Sequence, residues 1–242
     1  MRSGLELRLS TPALFALFFA FALILVLATA PLSLVLAGRA AGAGLSAAAV
    51  SGTVWRGQLS DAAFQGVRLG DVSLRISPVS LLAARVRLLF DSDPARGAVR
   101  LGPRRIELLG VAADLPLVAL APGAGLGGRL ELKDFDLELR ANECRRAAGE
   151  VVLRQLSLAG LDLPGLSLAG TAACSGQDLI VPLRGQAEGV DVQADLRVSP
   201  AGVYRMQLIL RTTRPEVEAA LSAVGYQRTL RGYETTLAGR LR

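Results

Sequence analysis

Leu130-Glu-Leu-Lys-Asp-Phe-Asp-Leu-Glu-Leu139 (LELKDFDLEL) sets apolar and charged residues against one another nearly position by position. Successive side chains of an extended chain point to opposite faces, so Leu130-Glu-Leu132 and Phe135-Asp-Leu137-Glu-Leu139 read as half-buried strand, one face apolar and one wet. The same period of two recurs at Val72–Ile76, Arg85–Leu88, Leu166–Leu168, Val190–Val192 and Leu196–Val198. Turn formers separate these runs at short intervals: Gly70-Asp71, Ser77-Pro78, Asp93-Pro94, Gly102-Pro103, Pro164-Gly165 and Ser199-Pro200. Short strands at this spacing, with no long helical pattern between them, predict a mainly β domain of antiparallel, curved sheet.

Two short helices are expected. Pro78–Arg85 opens on a proline after a serine. Pro215–Val224 carries Glu216 and Glu218 in its first turn, where acids favour the helix dipole, and Gly225 beyond its end. Leu156-Ser-Leu-Ala-Gly160 is echoed by Leu166-Ser-Leu-Ala-Gly170, which reads as two neighbouring strands around a Pro-Gly turn. Residues 113–128, rich in Pro, Ala and Gly, are expected to form an irregular crossing and a soft sub-boundary.

The N-terminus is of a different material. Residues 13–37 carry no charge, and as a helix they reach about 37 Å, more than the roughly 30 Å hydrocarbon core of a bilayer. Arg2 and Arg8 precede the run and Arg39 follows it, a bias that keeps the N-terminus cytoplasmic and exports the rest. The expected organisation is a leader at 1–12, a single-pass anchor at 13–37, a small-residue linker at 38–48 and a β-rich exported domain at 49–242. The rival reading is a signal peptide cut after Ala28-Thr29-Ala30. Pro31 directly after that site, and an apolar run longer than the usual 7–15-residue signal core, favour the anchor.

Composition narrows the function. The chain of 242 residues has no histidine, which removes Ser-His-Asp catalysis, histidine metal sites and a histidine base together. Its net charge of +6 comes from 26 arginines and the single Lys133, spread along the strands without interleaved aromatics, so no nucleic-acid footprint is read. Asp134, Asp136 and Glu138 would share one face of an extended chain; the bland reading is a wet strand face and the sharp one a carboxylate site. Asp91-Ser-Asp93 lacks the rest of a calcium loop and reads as a turn. Gly123–Gly128 reads as a loop, not a phosphate cradle. No cofactor and no enzyme activity are expected.

Two features stand out. Cys144 and Cys174 form an even pair: in an oxidising compartment they read as a disulfide, in a reducing one as two buried thiols. Gly52-Thr-Val-Trp55-Arg56-Gly57 holds the chain's only tryptophan between two glycines. Trp55 reads as a core residue of the first hairpin or, more sharply, as a docking residue.

With its single N-terminal anchor, the Gly-x-x-Trp-Arg-Gly motif at 52–57 and Gly66-x-x-Leu69-Gly70-x-Val72-x-Leu74-x-Ile76-x-Pro78-x-x-Leu81-Leu82, the chain resembles protein N of the type II secretion system. The same grammar is similar to that of AsmA-like periplasmic β-proteins, although here no aromatic precedes Pro78. The resemblance implies an inner-membrane subunit with a periplasmic domain, acting without catalytic residues in the secretion of folded proteins through contacts with other secretion subunits. Gly52, Trp55, Arg56 and Gly57 are the candidate interaction motif. The alternative it implies is a lipid-binding or lipid-transport module.

Overall fold

The computed structural model describes residues 44–64, 67–78, 85–120, 126–158, 161–162, 165–187 and 189–240, together with scattered positions before residue 34 that include Ala30, Pro31 and Leu32. Most of the expected leader, anchor and linker therefore lies outside the described residues, as does the helix expected after Pro78, of which Pro78 alone is helical and described. Among the described residues no helix is long and apolar enough to cross a membrane.

Strands β1 (Leu45–Ser46), β2 (Ala49–Gly52), β3 (Arg56–Phe64), β4 (Val67–Ile76), β5 (Val86–Asp91), β6 (Ala95–Gly102) and β7 (Arg105–Pro116) precede a one-turn helix, α1 (Leu117–Leu120). There follow β8 (Leu126–Arg140), β9 (Glu143–Leu158), β10 (Leu161–Asp162), β11 (Ser167–Thr171), β12 (Ala173–Ser175), β13 (Asp178–Ala187), β14 (Val190–Val198) and β15 (Val203–Thr212). Helix α2 (Pro215–Ala223), β16 (Gln227–Thr229) and β17 (Gly232–Arg240) end the chain. Every strand pairing is antiparallel. Most partners are sequence neighbours, so the sheet is an open meander from β2 to β17. Its two ends do not pair with each other.

The apolar positions of neighbouring strands line up in rows. Leu115, Leu130, Leu153 and Leu168 are successive register partners, and so are Gly185, Val192, Leu210 and Tyr233. Leu168, Val192 and Leu210 are fully buried. Helix α2 contributes Val217 and Leu221 to the same core. A single nine-residue helix cannot cover that much apolar sheet, so the sheet curls over its own face. Each buried leucine stabilises the fold by about 1.5–3 kcal/mol.

Helix α2 forms as its sequence predicts. Pro215 occupies its first turn with Glu216 and Glu218. The Glu216 carboxyl is held below the usual range, first by a hydrogen bond from Arg214. Its C-terminus closes with Gly225 N–H on the Ser222 carbonyl and Tyr226 N–H on that of Leu221, the paired bonds that satisfy the last orphan carbonyls.

Three expectations change. The described ends of 113–128 are regular, not irregular: β7 runs to Pro116, α1 follows, and β8 begins at Leu126 and pairs back onto β7. Gly127 and Gly128 thus belong to a strand, because flanking hairpin pairs hold them there. Leu45–Ser46, within the expected linker, is a strand on β3, and Leu45 packs on a small second cluster. Asp134, Asp136 and Glu138 do not form one row. The register slips between Lys133 and Asp136, and Asp134 takes φ 46. This bulge restores Phe135 to the core, where it is buried opposite Val111.

The two halves of the sheet meet at a seam. Strand β11 makes five register pairs with β9 but only Ala169↔Arg184 with β13. At Gly170 a Cβ would run into the Pro182 carbonyl and sit against Leu183 Cα, both backbone. Beyond Thr171 the ladder to β9 stops, and Cys144 of β9 is disulfide-bonded to Cys174 of β12 with their Cα atoms 5.6 Å apart. The bridge closes a loop with a sequence separation of 30 residues, a constraint of about 3.6 kcal/mol in the chain-entropy account.

Two outcomes are expected from the seam. Cys144→Ser with Cys174→Ser lowers stability by about 2–4 kcal/mol in urea denaturation, and dithiothreitol reproduces the shift in the native chain but not in the variant. Gly170→Val costs roughly 3 kcal/mol or more, because backbone cannot yield to the new methyls; a melting temperature unchanged by this substitution would contradict the close approach of β11 and β13.

Candidate interaction site

The Gly52–Gly57 motif is the corner of the first hairpin. Thr53 N–H donates to the Arg56 carbonyl at 2.9 Å and Arg56 N–H to the Thr53 carbonyl at 3.1 Å, leaving Val54 and Trp55 at the tip. Gly52 lies opposite Gly57 in the register and has φ +88, a left-handed value that glycine adopts without strain. The neighbouring strand locks the tip from the other side, since Ile76 N–H donates to the Trp55 carbonyl at 3.0 Å.

This corner receives the chain's own N-terminal segment. Val54 N–H donates to the Ala30 carbonyl at 3.0 Å, and Pro31 bridges to Thr53. Leu32, only 4% exposed, packs with Leu59, Ala62 and Val72 in the second cluster. A Cβ on Gly57 would collide with the Leu32 side chain. Gly57 is therefore a seat for Leu32. Trp55 is half-buried and Arg56 exposed. Sequence reading singles out this motif but misses Leu32, whose apolar neighbours hide it.

Cys144 and Cys174 join at the seam, separated from the Trp55 corner by strands β4 to β8. The structure does not bring the two features together into one site.

A buried charge network was not foreseen. Glu107 is 6% exposed. Its carboxylate lies 2.8 Å from Arg100 Nη1 and 2.5 Å from Arg105 Nε, and Arg105 continues to Glu138 at 3.1 Å. Two guanidiniums on one carboxylate offset its desolvation, so the group is structural, not a free acid. The sequence signal was Arg100 and Arg105 flanking the tight Gly102-Pro103 turn, which places both beside Glu107.

The surface offers open strand and clefts. In β4 only Ser73–Ile76 pair with β5, so Val67–Val72 present an unpaired edge on that side among the described residues. Beside it lies a cleft of about 860 Å³ whose lining includes Asp71, Asp91, Asp93 and Arg96. At the far end of the sheet β16 covers only Gly232–Glu234, leaving the rest of β17 as an open edge among the described residues. Among the described residues no group of His, Cys, Asp or Glu is arranged to hold a metal ion. What remains is backbone able to accept another strand.

Residues 43–236 match the family model for type II secretion system (T2SS), protein N. The chain belongs to that family. No curated protein and no solved structure matches it. Membership makes this protein N homologue a component of the secretion machinery of the cell envelope, in a family of structural secretion components that is not a known enzyme family, with other secretion subunits as partners. The matched region begins just before β1 and ends within β17, so it coincides with the meander and leaves the apolar run outside.

The Leu32 seat has a measurable consequence. Leu32→Ala is expected to cost about 2–4 kcal/mol, and Gly57→Val a similar amount by expelling the same side chain. Combined, they cost clearly less than the sum, because both remove one contact. Fluorescence of Trp55, the only tryptophan, shifts to the red in each variant. Strict additivity would show that Gly57 and Leu32 do not meet.

Proposed function

We propose that this chain is a non-enzymatic, inner-membrane-anchored periplasmic component of type II secretion that works through protein–protein contacts. The family match over residues 43–236 carries the reading. The apolar run 13–37 supports the anchor, and a domain at 49–242 on the exported side agrees with a disulfide between Cys144 and Cys174. The unpaired edges of β4 and β17 offer secretion subunits a place to add a strand, with affinity from main-chain hydrogen bonds and specificity from alternate side chains. The Trp55 corner serves this reading as a hinge post. It holds Ala30–Leu32 against the domain, so the domain follows the anchor instead of swinging on a free linker.

A second reading, a lipid-binding module, draws on one observation. Leu101 and Ile106 face each other across β6 and β7 while 42% and 46% exposed, so apolar sheet surface is left uncovered at one end. Native mass spectrometry of detergent-released protein separates the readings, since co-purifying phospholipid supports the second.

Deleting the gene is expected to lower the secreted fraction of a folded exoprotein at least severalfold and to trap it in the periplasm. Affinity purification of the full chain is expected to recover secretion subunits. Normal secretion together with no co-purifying subunit rejects the proposal.

A further inference from the structure

Charge is segregated along the strand axis. Strand directions place the start of β5, the β6–β7 turn and the β8–β9 turn at the same end of the sheet as the Trp55 corner. That end carries a cleft of about 410 Å³ lined by Arg85, Gly102, Pro103, Arg104, Arg105, Arg140 and Ala141, with no acid in its lining. Arg85, Arg104 and Arg140 are exposed and make no ion pair among the described residues, whereas Arg105 is taken by Glu107 and Glu138. The two turns are tied together, because Ala141 N–H donates to the Arg104 carbonyl at 2.8 Å. The arginines are thus held side by side although like charges repel. The opposite end leans to the reverse sign, its cleft being lined by Asp71, Asp91, Asp93, Asp114 and Glu131 against Arg96 and Lys133.

Beside the arginines lies the exposed apolar pair Leu101 and Ile106, register partners of one another. Guanidiniums around exposed aliphatic side chains are the combination that an anionic lipid interface accepts: phosphates take the charges, and the acyl boundary takes the leucine and isoleucine. The same end holds Ala30–Leu32, where the apolar run leaves the domain.

We propose that this arginine-rimmed end docks onto an anionic phospholipid surface, with Arg85, Arg104 and Arg140 against phosphates and Leu101 and Ile106 at the interface. The proposal rests on the part of the apolar run that precedes Ala30 acting as the anchor, since Ala30–Leu32 are docked on the domain. It adds an orientation: basic end down, acidic end and the unpaired stretch of β4 away from the membrane.

The test uses the full chain reconstituted in vesicles of phosphatidylcholine alone or with phosphatidylglycerol. Hydrogen exchange at 101–106 and 140–143 is expected to be roughly tenfold slower on the anionic bilayer, with the difference lost in high salt. Arg85→Glu, Arg104→Glu and Arg140→Glu together abolish the protection while exchange in β13 to β15 stays unchanged, which shows that the variant is folded. Equal exchange on the two bilayers, or protection that survives charge reversal, overturns the proposal and leaves the rim as a protein-docking surface. Retention after a carbonate wash reports the anchor separately. If retention fails on both bilayers, the anchor reading falls, and the rim is judged by salt-sensitive co-sedimentation with the anionic vesicles; no sedimentation then overturns it too.

Discussion

A sheet against whose main core only the nine-residue helix α2 is seen to pack must bury its leucines by curving onto itself, and most features of this protein follow from that constraint. Glycine kinks and bulges are where a sheet bends most readily. Gly170 supplies such a place, facing the backbone of Pro182 and Leu183. It also weakens the ladder there, since β11 and β13 share a single register pair. The bond between Cys144 and Cys174 ties β9 to β12 past the end of the β9–β11 ladder, beside a hydrogen bond from Cys144 N–H to the Gln177 carbonyl at 3.0 Å. A covalent link thus compensates for a discontinuity that the curvature imposes.

Much of this was legible in the sequence. Alternation at Val72–Ile76, Phe135–Leu139 and Val190–Val198 gave strands in the right places, because a half-buried strand must show a period of two. The Leu156–Gly160 echo did mark neighbours, with Leu153 opposite Leu168. The glycines at the end of 113–128 misled for a physical reason: Gly127 and Gly128 have low strand propensity, but Gly127 pairs with Ser157 of β9, and Arg129 directly after them pairs with both β7 and β9. The bulge at Asp134 had left a trace, since Leu132 and Phe135 are three apart where strict alternation demands two. Leu32 could not be found by pattern, because the side chains that bury it, Leu59, Ala62 and Val72, belong to strands that begin only at Arg56 and Val67, whereas Glu107 is met by arginines of its own hairpin.

The interaction surfaces follow the same logic. Strands that vary in length around a meander leave unpaired backbone wherever a long one outruns a short one, as β4 outruns β5. Such edges are a hazard in an isolated protein and an asset in a machine component. Membership of the type II secretion protein N family gives them a context in which other subunits are available. The Glu107 network has the opposite role: with both of its arginines engaged, it stiffens β6 to β8 near the end where the free arginines gather.

The meander also sets an order of assembly. Because most strands pair with the strand that comes just before them, a chain emerging N-terminus first can add each hairpin to a finished edge without waiting for distant sequence. Loop closure stays short at nearly every step, which keeps the entropic barrier low. The seam interrupts that sequence midway: Cys174 must appear before Cys144 has a partner, by which time β1 to β9 stand as a template and β13 to β17 are still to come. Growth from the end that holds Leu32 therefore starts at the first hairpin and passes through the disulfide before the last strands are added.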